Sequence, residues 1–234
     1  MQKQKQTLVF LPGMLNTEEL WKHQEQALQN NFNIFHADIY NNYSLEGMAE
    51  NILNQAEGKL ILVGLSMGGY CALEILRMAP DRVEKIALFN TAANPSTPEQ
   101  KIVRRRLIEQ SKIGRFLGVG TKMLDMLLGD DMRKNSAVRK FIVEMAIKSG
   151  REVYARQQTA IINRTDYRPM IKKSTTPFLC VASQQDIITP PSSLEEINAL
   201  AKNSEYYILP NCGHLAPVEF PEKCTELLKD WLKV

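Results

Sequence analysis

Apolar residues along this chain fall into two rhythms. Six short runs are nearly continuous: TLVFL (7–11), FNIFHADI (32–39), KLILVG (59–64), KIALFN (85–90), PFLCVAS (177–183) and EYYILP (205–210). Runs of that length without polar alternation predict strands buried on both faces, as in a parallel sheet. Between them, Thr17 to Gln29, Ser44 to Glu57, Met67 to Met78, Ser192 to Ala201 and Val218 to Leu232 carry apolar residues at spacings of three and four. This spacing predicts amphipathic helices, and their alternation with the strands predicts a doubly wound, six-stranded, all-parallel α/β sheet. The rhythm breaks between Asn94 and Thr176. Helical patterns follow one another there, around residues 102–113, 121–128, 137–147 and 152–162, with no strand among them. The expected organisation is a core of residues 1–93 and 173–234, with a helical cap of residues 94–172 inserted after the fourth strand. The cap should lie over the carboxyl ends of the strands, where open α/β sheets place their ligand crevices.

Charge sharpens that division. The formal net charge is only +3, yet Pro98 to Lys173 hold 18 Lys and Arg against 8 Asp and Glu, while the remainder holds 11 against 18. A basic segment seated on an acidic body concentrates positive potential, and makes an acidic substrate or an acidic carrier protein the expected partner. The Arg104 to Arg106 cluster cannot all face one site, because neighbours on a helix point apart; a solvated face is the plainer reading. Met123, Met126, Met132, Met145 and Met170 would suit either core packing or a pliable acyl pocket. No window approaches the roughly 20 apolar residues of a membrane span, and the polar start shows no signal peptide. Cys71, Cys180, Cys212 and Cys224 lack CxxC spacing and read as buried free thiols of a cytoplasmic protein. No metal-ligand cluster, nucleotide loop or nucleic-acid signature is present, so no cofactor, metal or nucleic acid is expected.

The chemistry-bearing candidates lie where strands end. Gly64-Leu65-Ser66-Met67-Gly68 fits G-x-S-x-G between a predicted strand and a predicted helix. There a sharp turn lifts the serine above the sheet edge. The competing reading is a serine that caps a helix. A nucleophilic serine needs a base and an acid to orient that base. Of three histidines only His214 follows Ser66, in LPNCGHLAPVEFPE between the last strand and the last helix. Asp186 stands just beyond the fifth strand in VASQQDIITPP, with Asp166 as the fallback acid. The plainer readings are a surface-loop histidine and a turn-stabilising aspartate. Acyl transfer also needs N–H donors for its oxyanion. Met67, directly after Ser66, should supply one. Met14, after Pro12-Gly13 in the loop beyond the first strand, should supply the other unless that loop is an ordinary turn.

Taken in order, FLPGMLNTEELW, LVGLSMGGYCALEI, VASQQDIITPP and LPNCGHLAPVEFPE resemble the α/β-hydrolase fold family across essentially the whole chain. The resemblance is greatest to small carboxylesterases and methyl-ester hydrolases, including those acting on acyl-carrier-protein esters. It implies a Ser66, Asp186, His214 triad, Met14 and Met67 as oxyanion donors, a helical cap, and ester cleavage through an acyl-enzyme. The chain departs from many members in having Pro12-Gly13 instead of His-Gly, and in beginning at the strand usually counted third, without the first two edge strands. Two rival readings stand beside the esterase: hydrolysis of carbon–carbon bonds in ring-cleavage products, and a non-catalytic ligand-binding protein of the same fold. A dehalogenase is disfavoured because that chemistry uses a carboxylate at the position of Ser66.

Overall fold

In the computed structural model, which describes residues 5–234, all six apolar runs form strands of one sheet. They are β1 (Thr7–Leu11), β2 (Asn33–His36), β3 (Leu60–Leu65), β4 (Val83–Phe89), β5 (Phe178–Ser183) and β6 (Ser204–Leu209), in the order β2-β1-β3-β4-β5-β6. Every neighbouring pair is parallel. Residues alternate between faces as the pleat requires. Val9 and Leu11 of β1 join an apolar layer with α2 (Leu45–Gln55), α3 (Met67–Met78) and α8 (Pro191–Leu200). Leu8 and Phe10 join the opposite layer with α1 (Lys22–Leu28) and α10 (Pro221–Leu232). Helices on both faces explain why β1, β3 and β5 read as unbroken apolar runs. They have no solvated side.

Three elements are shorter or more divided than the periodicity predicts. The helix expected over 17–29 opens as a 3-10 turn, Glu18–Trp21, before α1. The other two depart for local reasons. Strand β2 stops at His36 because Asp38 folds the chain into a side-chain turn, accepting from the Tyr40 N–H at 3.0 Å and from the Asn41 amide at 2.7 Å. The helix expected over 218–232 is split into α9 (Ala216–Glu219) and α10 by Phe220, whose non-helical backbone (φ −133°, ψ 60°) precedes Pro221, a residue that disfavours helical geometry in the one before it.

Between β4 and β5 lie α4 (Pro98–Ser111), α5 (Thr121–Leu127), α6 (Ser136–Ile162) and α7 (Arg168–Lys173), with no strand. Helix α4 begins four residues before its apolar pattern, because Thr97 and Gln100 form a capping box ahead of Pro98. Helix α6 is broken at Gly150, whose φ of 84° no helix allows, so the two periodic segments around 137–147 and 152–162 are its two arms. The arms pack on different layers: Ile142 and Met145 join the α1/α10 side, Ala160 and Ile161 the α2/α3 side. Met145 is therefore core, whereas Met123 is exposed. Arg104 is half-buried against Gln158 at 2.6 Å, while Arg105 and Arg106 face solvent. Among the described residues no helix is long and apolar enough to cross a membrane.

Candidate active site

The strand order reverses between β1 and β3, so the loops leaving these neighbouring strands diverge and open a crevice at their carboxyl ends. Ser66 follows β3 at that point. Its backbone has φ 53° and ψ −114°, a left-handed conformation that costs a non-glycine residue about 1–3 kcal/mol. The turn is held from the main chain. Ser66 N–H donates to Phe89 O at 3.0 Å, and Ser66 O accepts from Gly69 N–H, Tyr70 N–H and the Thr91 hydroxyl. Gly68 is required by close approach, since a side chain there would overlap the Leu11 and Pro12 carbonyls. Although Ser66 occupies the cap position of α3, its side chain makes no capping hydrogen bond. The hydroxyl is free of the role that would otherwise explain it.

Asp186 and His214 meet from the ends of β5 and β6. His214 Nδ1 lies 2.8 Å from Asp186 Oδ2, both residues being almost fully buried. The carboxylate is fixed by the Ile188 and Thr189 N–H groups on Oδ1 and by the Thr189 hydroxyl on Oδ2. Burial opposes its ionisation, but the His214 ring and the Thr189 donors outweigh burial and hold the carboxyl below its usual range. Asp166 is elsewhere, paired with Arg168 at 2.7 Å. Both polar contacts of the His214 ring use Nδ1. Nε2 has no hydrogen-bond partner among the described residues, and Ser66 Oγ does not bond to it.

Asn90, just past β4 and itself at φ 42°, ties these loops together. Its amide donates to Ser183 Oγ and to the carbonyls of Gly213 and His214 at 2.8–3.1 Å.

The loop beyond β1 lies against the serine: a Cβ on Gly13 would sit 3.6 Å from that of Ser66. Met67 opens α3, so its N–H has no intrahelical acceptor. The Met14 N–H makes no hydrogen bond among the described residues. The next N–H, of Leu15 at φ 59°, donates to Gln157 Oε1 at 2.9 Å. Gln157 is fully buried on the second arm of α6, so one side chain of the insertion holds the loop beside Met14. Asn90, Thr189 and Gln157 escaped the sequence reading, because amides and hydroxyls carry no motif and their partners are remote in the chain. Among the described residues no cluster of three or more His, Cys, Asp or Glu side chains is arranged to hold a metal ion.

A family profile described as alpha/beta hydrolase fold matches residues 38–221. A protein of Serratia proteamaculans provisionally named carbamate hydrolase RutD is 25% identical, over 97% of this chain and 90% of its own. The pimeloyl-[acyl-carrier protein] methyl ester esterase of Citrobacter koseri is also 25% identical, over 94% of this chain and 92% of its own. The solved structure of a thermophilic esterase from Thermogutta terrifontis, with malate bound, superposes with a TM-score of 0.88 at 27% identity. That match covers 98% of this chain and 90% of the other.

Proposed function

This chain belongs to the α/β hydrolase fold family, and from that premise we propose that it is a serine hydrolase cleaving carboxylic esters through an acyl-enzyme. The observation that carries the reading is the buried 2.8 Å His214–Asp186 pair at the sheet edge that also carries Ser66, strained and uncapped. In the proposed cycle Ser66 Oγ attacks the ester carbonyl carbon while His214 Nε2 takes its proton. Asp186 holds the ring with Nδ1–H toward itself and stabilises the imidazolium. The carbonyl oxygen, now an oxyanion, is met by the N–H groups of Met67 and Met14. Collapse breaks the bond to the alcohol oxygen, which leaves with the proton from His214. Water then repeats the sequence on the acyl-enzyme, releasing the acid and restoring Ser66.

Helices α4 to α7 act in this reading as a cap over the site, residues 94–172 on a core of 1–93 and 173–234. Its excess of basic residues favours a substrate that is anionic or is carried on an acidic protein, in keeping with the name of the Citrobacter relative. Four buried free thiols suit a cytoplasmic setting. A carbamate is the second substrate class, because the Serratia relative carries that name and its carbonyl would be attacked in the same way.

The test is incubation with a fluorophosphonate followed by peptide mass mapping. A label on Ser66, absent from Ser66→Ala and strongly slowed in His214→Ala, is the expected result. A folded protein that takes no label would refute the nucleophile and favour a ligand-binding role. Hydrolysis of p-nitrophenyl esters and carbamates then separates the two substrate classes.

A further inference from the structure

Glu219 is a buried carboxylate that the proposed reaction does not use, and among the described residues no basic side chain forms an ion pair with it. It sits on α9, five residues after His214, with 3% of its surface exposed. Its three hydrogen-bond donors are all main-chain N–H groups. Leu215 donates to Oε1 at 3.1 Å, and Gly213 and Gly129 donate to Oε2 at 3.1 and 2.7 Å. Two of these N–H groups flank His214. The third belongs to the segment after α5, in the insertion. Burial pushes the Glu219 carboxyl above its usual range, against the three N–H donors and the neighbouring His214. Leaving a carboxylate in such a place is costly. A glutamine would present one acceptor oxygen to three donors and turn an N–H₂ group toward the rest.

The remaining polar groups of the His214 peptide point the same way. Its N–H donates to Leu127 O at 2.7 Å, two residues from Gly129, and its carbonyl accepts from Asn90. The adjoining Asp130 N–H donates to Gln185 Oε1 at 2.7 Å, beside Asp186, while Gln185 N–H donates to Cys212 O at 2.9 Å. Residues 127–130 of the insertion, the loop of Asp186 and the loop of His214 thus form one hydrogen-bonded unit. Among the described residues Glu219 is the only side chain that bonds to both flanks of His214.

We propose that Glu219 is a positioning residue for the reaction: it locks the His214 loop to the Leu127–Gly129 segment, so that the imidazole is held in line between Asp186 and Ser66. This inference rests on the reading of Ser66 and His214 given above. It requires that the angle of the ring, and therefore the rate of proton transfer, depend on a carboxylate that never touches substrate.

The experiment compares wild type, Glu219→Gln and Glu219→Asp. Its readouts are the rate of fluorophosphonate labelling, kcat and KM for p-nitrophenyl acetate, the low-field proton resonance of the His214 Nδ1–H, and thermal unfolding. In Glu219→Gln the labelling rate and kcat are expected to fall between about ten-fold and a hundred-fold, since small misplacements of reacting groups have effects of that size. KM should stay within about two-fold, the pattern of an interaction that serves the transition state. The resonance should broaden. Glu219→Asp keeps an acceptor-only carboxylate and should recover part of each loss. A Gln variant that melts earlier but labels, turns over and resonates like wild type would overturn the proposal and leave Glu219 a brace of the fold. If the Gln variant does not fold, Glu219→Asp carries the test, and wild-type values for its kcat and resonance would likewise overturn it. Wild-type protein that takes no label at Ser66 would instead refute the nucleophile, and the resonance then decides the placement of His214 by itself.

Discussion

Asp186→Asn separates geometry from charge at the centre of the site. The Asn side chain is nearly the same shape, and its oxygen can replace Oδ1 in accepting the Ile188 and Thr189 N–H groups at 2.8 and 3.0 Å. Its N–H₂ group must then occupy the position of Oδ2, where it faces His214 Nδ1 and the Thr189 hydroxyl, both 2.8 Å from the present oxygen. A donor there obliges Nδ1 to accept, which moves the ring proton to Nε2. The base then presents a hydrogen to Ser66 instead of a lone pair. The expected loss in kcat is roughly 10⁴, the scale seen when a triad acid is made an amide, or about 5.4 kcal/mol in activation free energy. Stability should respond much less. One charge-assisted hydrogen bond contributes about 1.5–3 kcal/mol, and at about 2–4 °C per kcal/mol for a protein of this size the melting temperature should fall by roughly 3–12 °C. The stability difference also has a direction in pH. The Asp186 carboxyl is held below its ordinary value of 3.8 in the fold, so the unfolded chain binds more protons between those two values. The stabilisation is full above pH 3.8 and is lost as pH falls through the folded value. The wild-type advantage in melting temperature should therefore shrink on acidification below pH 4. Single-turnover acylation with p-nitrophenyl acetate, alongside melts at pH 3 to 7, measures both effects. A folded Asp186→Asn protein that retains a tenth or more of wild-type kcat would refute the assignment of Asp186 as the orienting acid.

Gln157→Leu keeps the volume of the side chain but leaves the buried Leu15 N–H without its acceptor. It should lose about 1–3 kcal/mol of stability on denaturant titration, and should slow Ser66 acylation more than it raises KM, because the loop carrying Met14 is released. Equal effects of the variant on kcat and KM would argue against a role in that loop. If the basic insertion steers substrate, kcat/KM for an anionic ester should fall steeply as ionic strength rises through the range where screening sets in, about 0.01 to 0.5 M. A matched neutral ester should respond little, and parallel salt dependences would exclude steering.

The central strands were legible because parallel strands covered on both faces must be apolar throughout, a signal any short window contains; the edge strands β2 and β6, also expected to be buried on both faces, are instead mostly half-buried or exposed, because each has a neighbour on one side only. The boundaries that shifted did so through short-range polar chemistry that apolar periodicity does not register: the Asp38 turn at the end of β2, and Phe220 ahead of Pro221 between α9 and α10. Ser66, Asp186 and His214 could be nominated because each stands just past a predicted strand, and in a parallel sheet all strand ends share one edge. The tertiary structure pairs His214 with Asp186 and leaves Asp166 with Arg168; sequence could not exclude Asp166, which lies where the insertion rejoins the sheet, because a contact between remote loops has no local signal.

By itself, then, the chain's sequence determined the elements and their parallel arrangement, and nominated the groups proposed to do chemistry, because burial pattern and strand-end position are properties of neighbouring residues. Only the tertiary structure decided how those groups are held. Gln157 meets the Leu15 N–H across 142 positions, Glu219 meets Gly129 across 90, and Asn90 meets His214 across 124. Such pairings depend on which loops the strand order β2-β1-β3-β4-β5-β6 brings within about 3 Å of one another, a hydrogen-bond length. A buried amide or carboxylate can be read as a support only when the N–H it satisfies is in view.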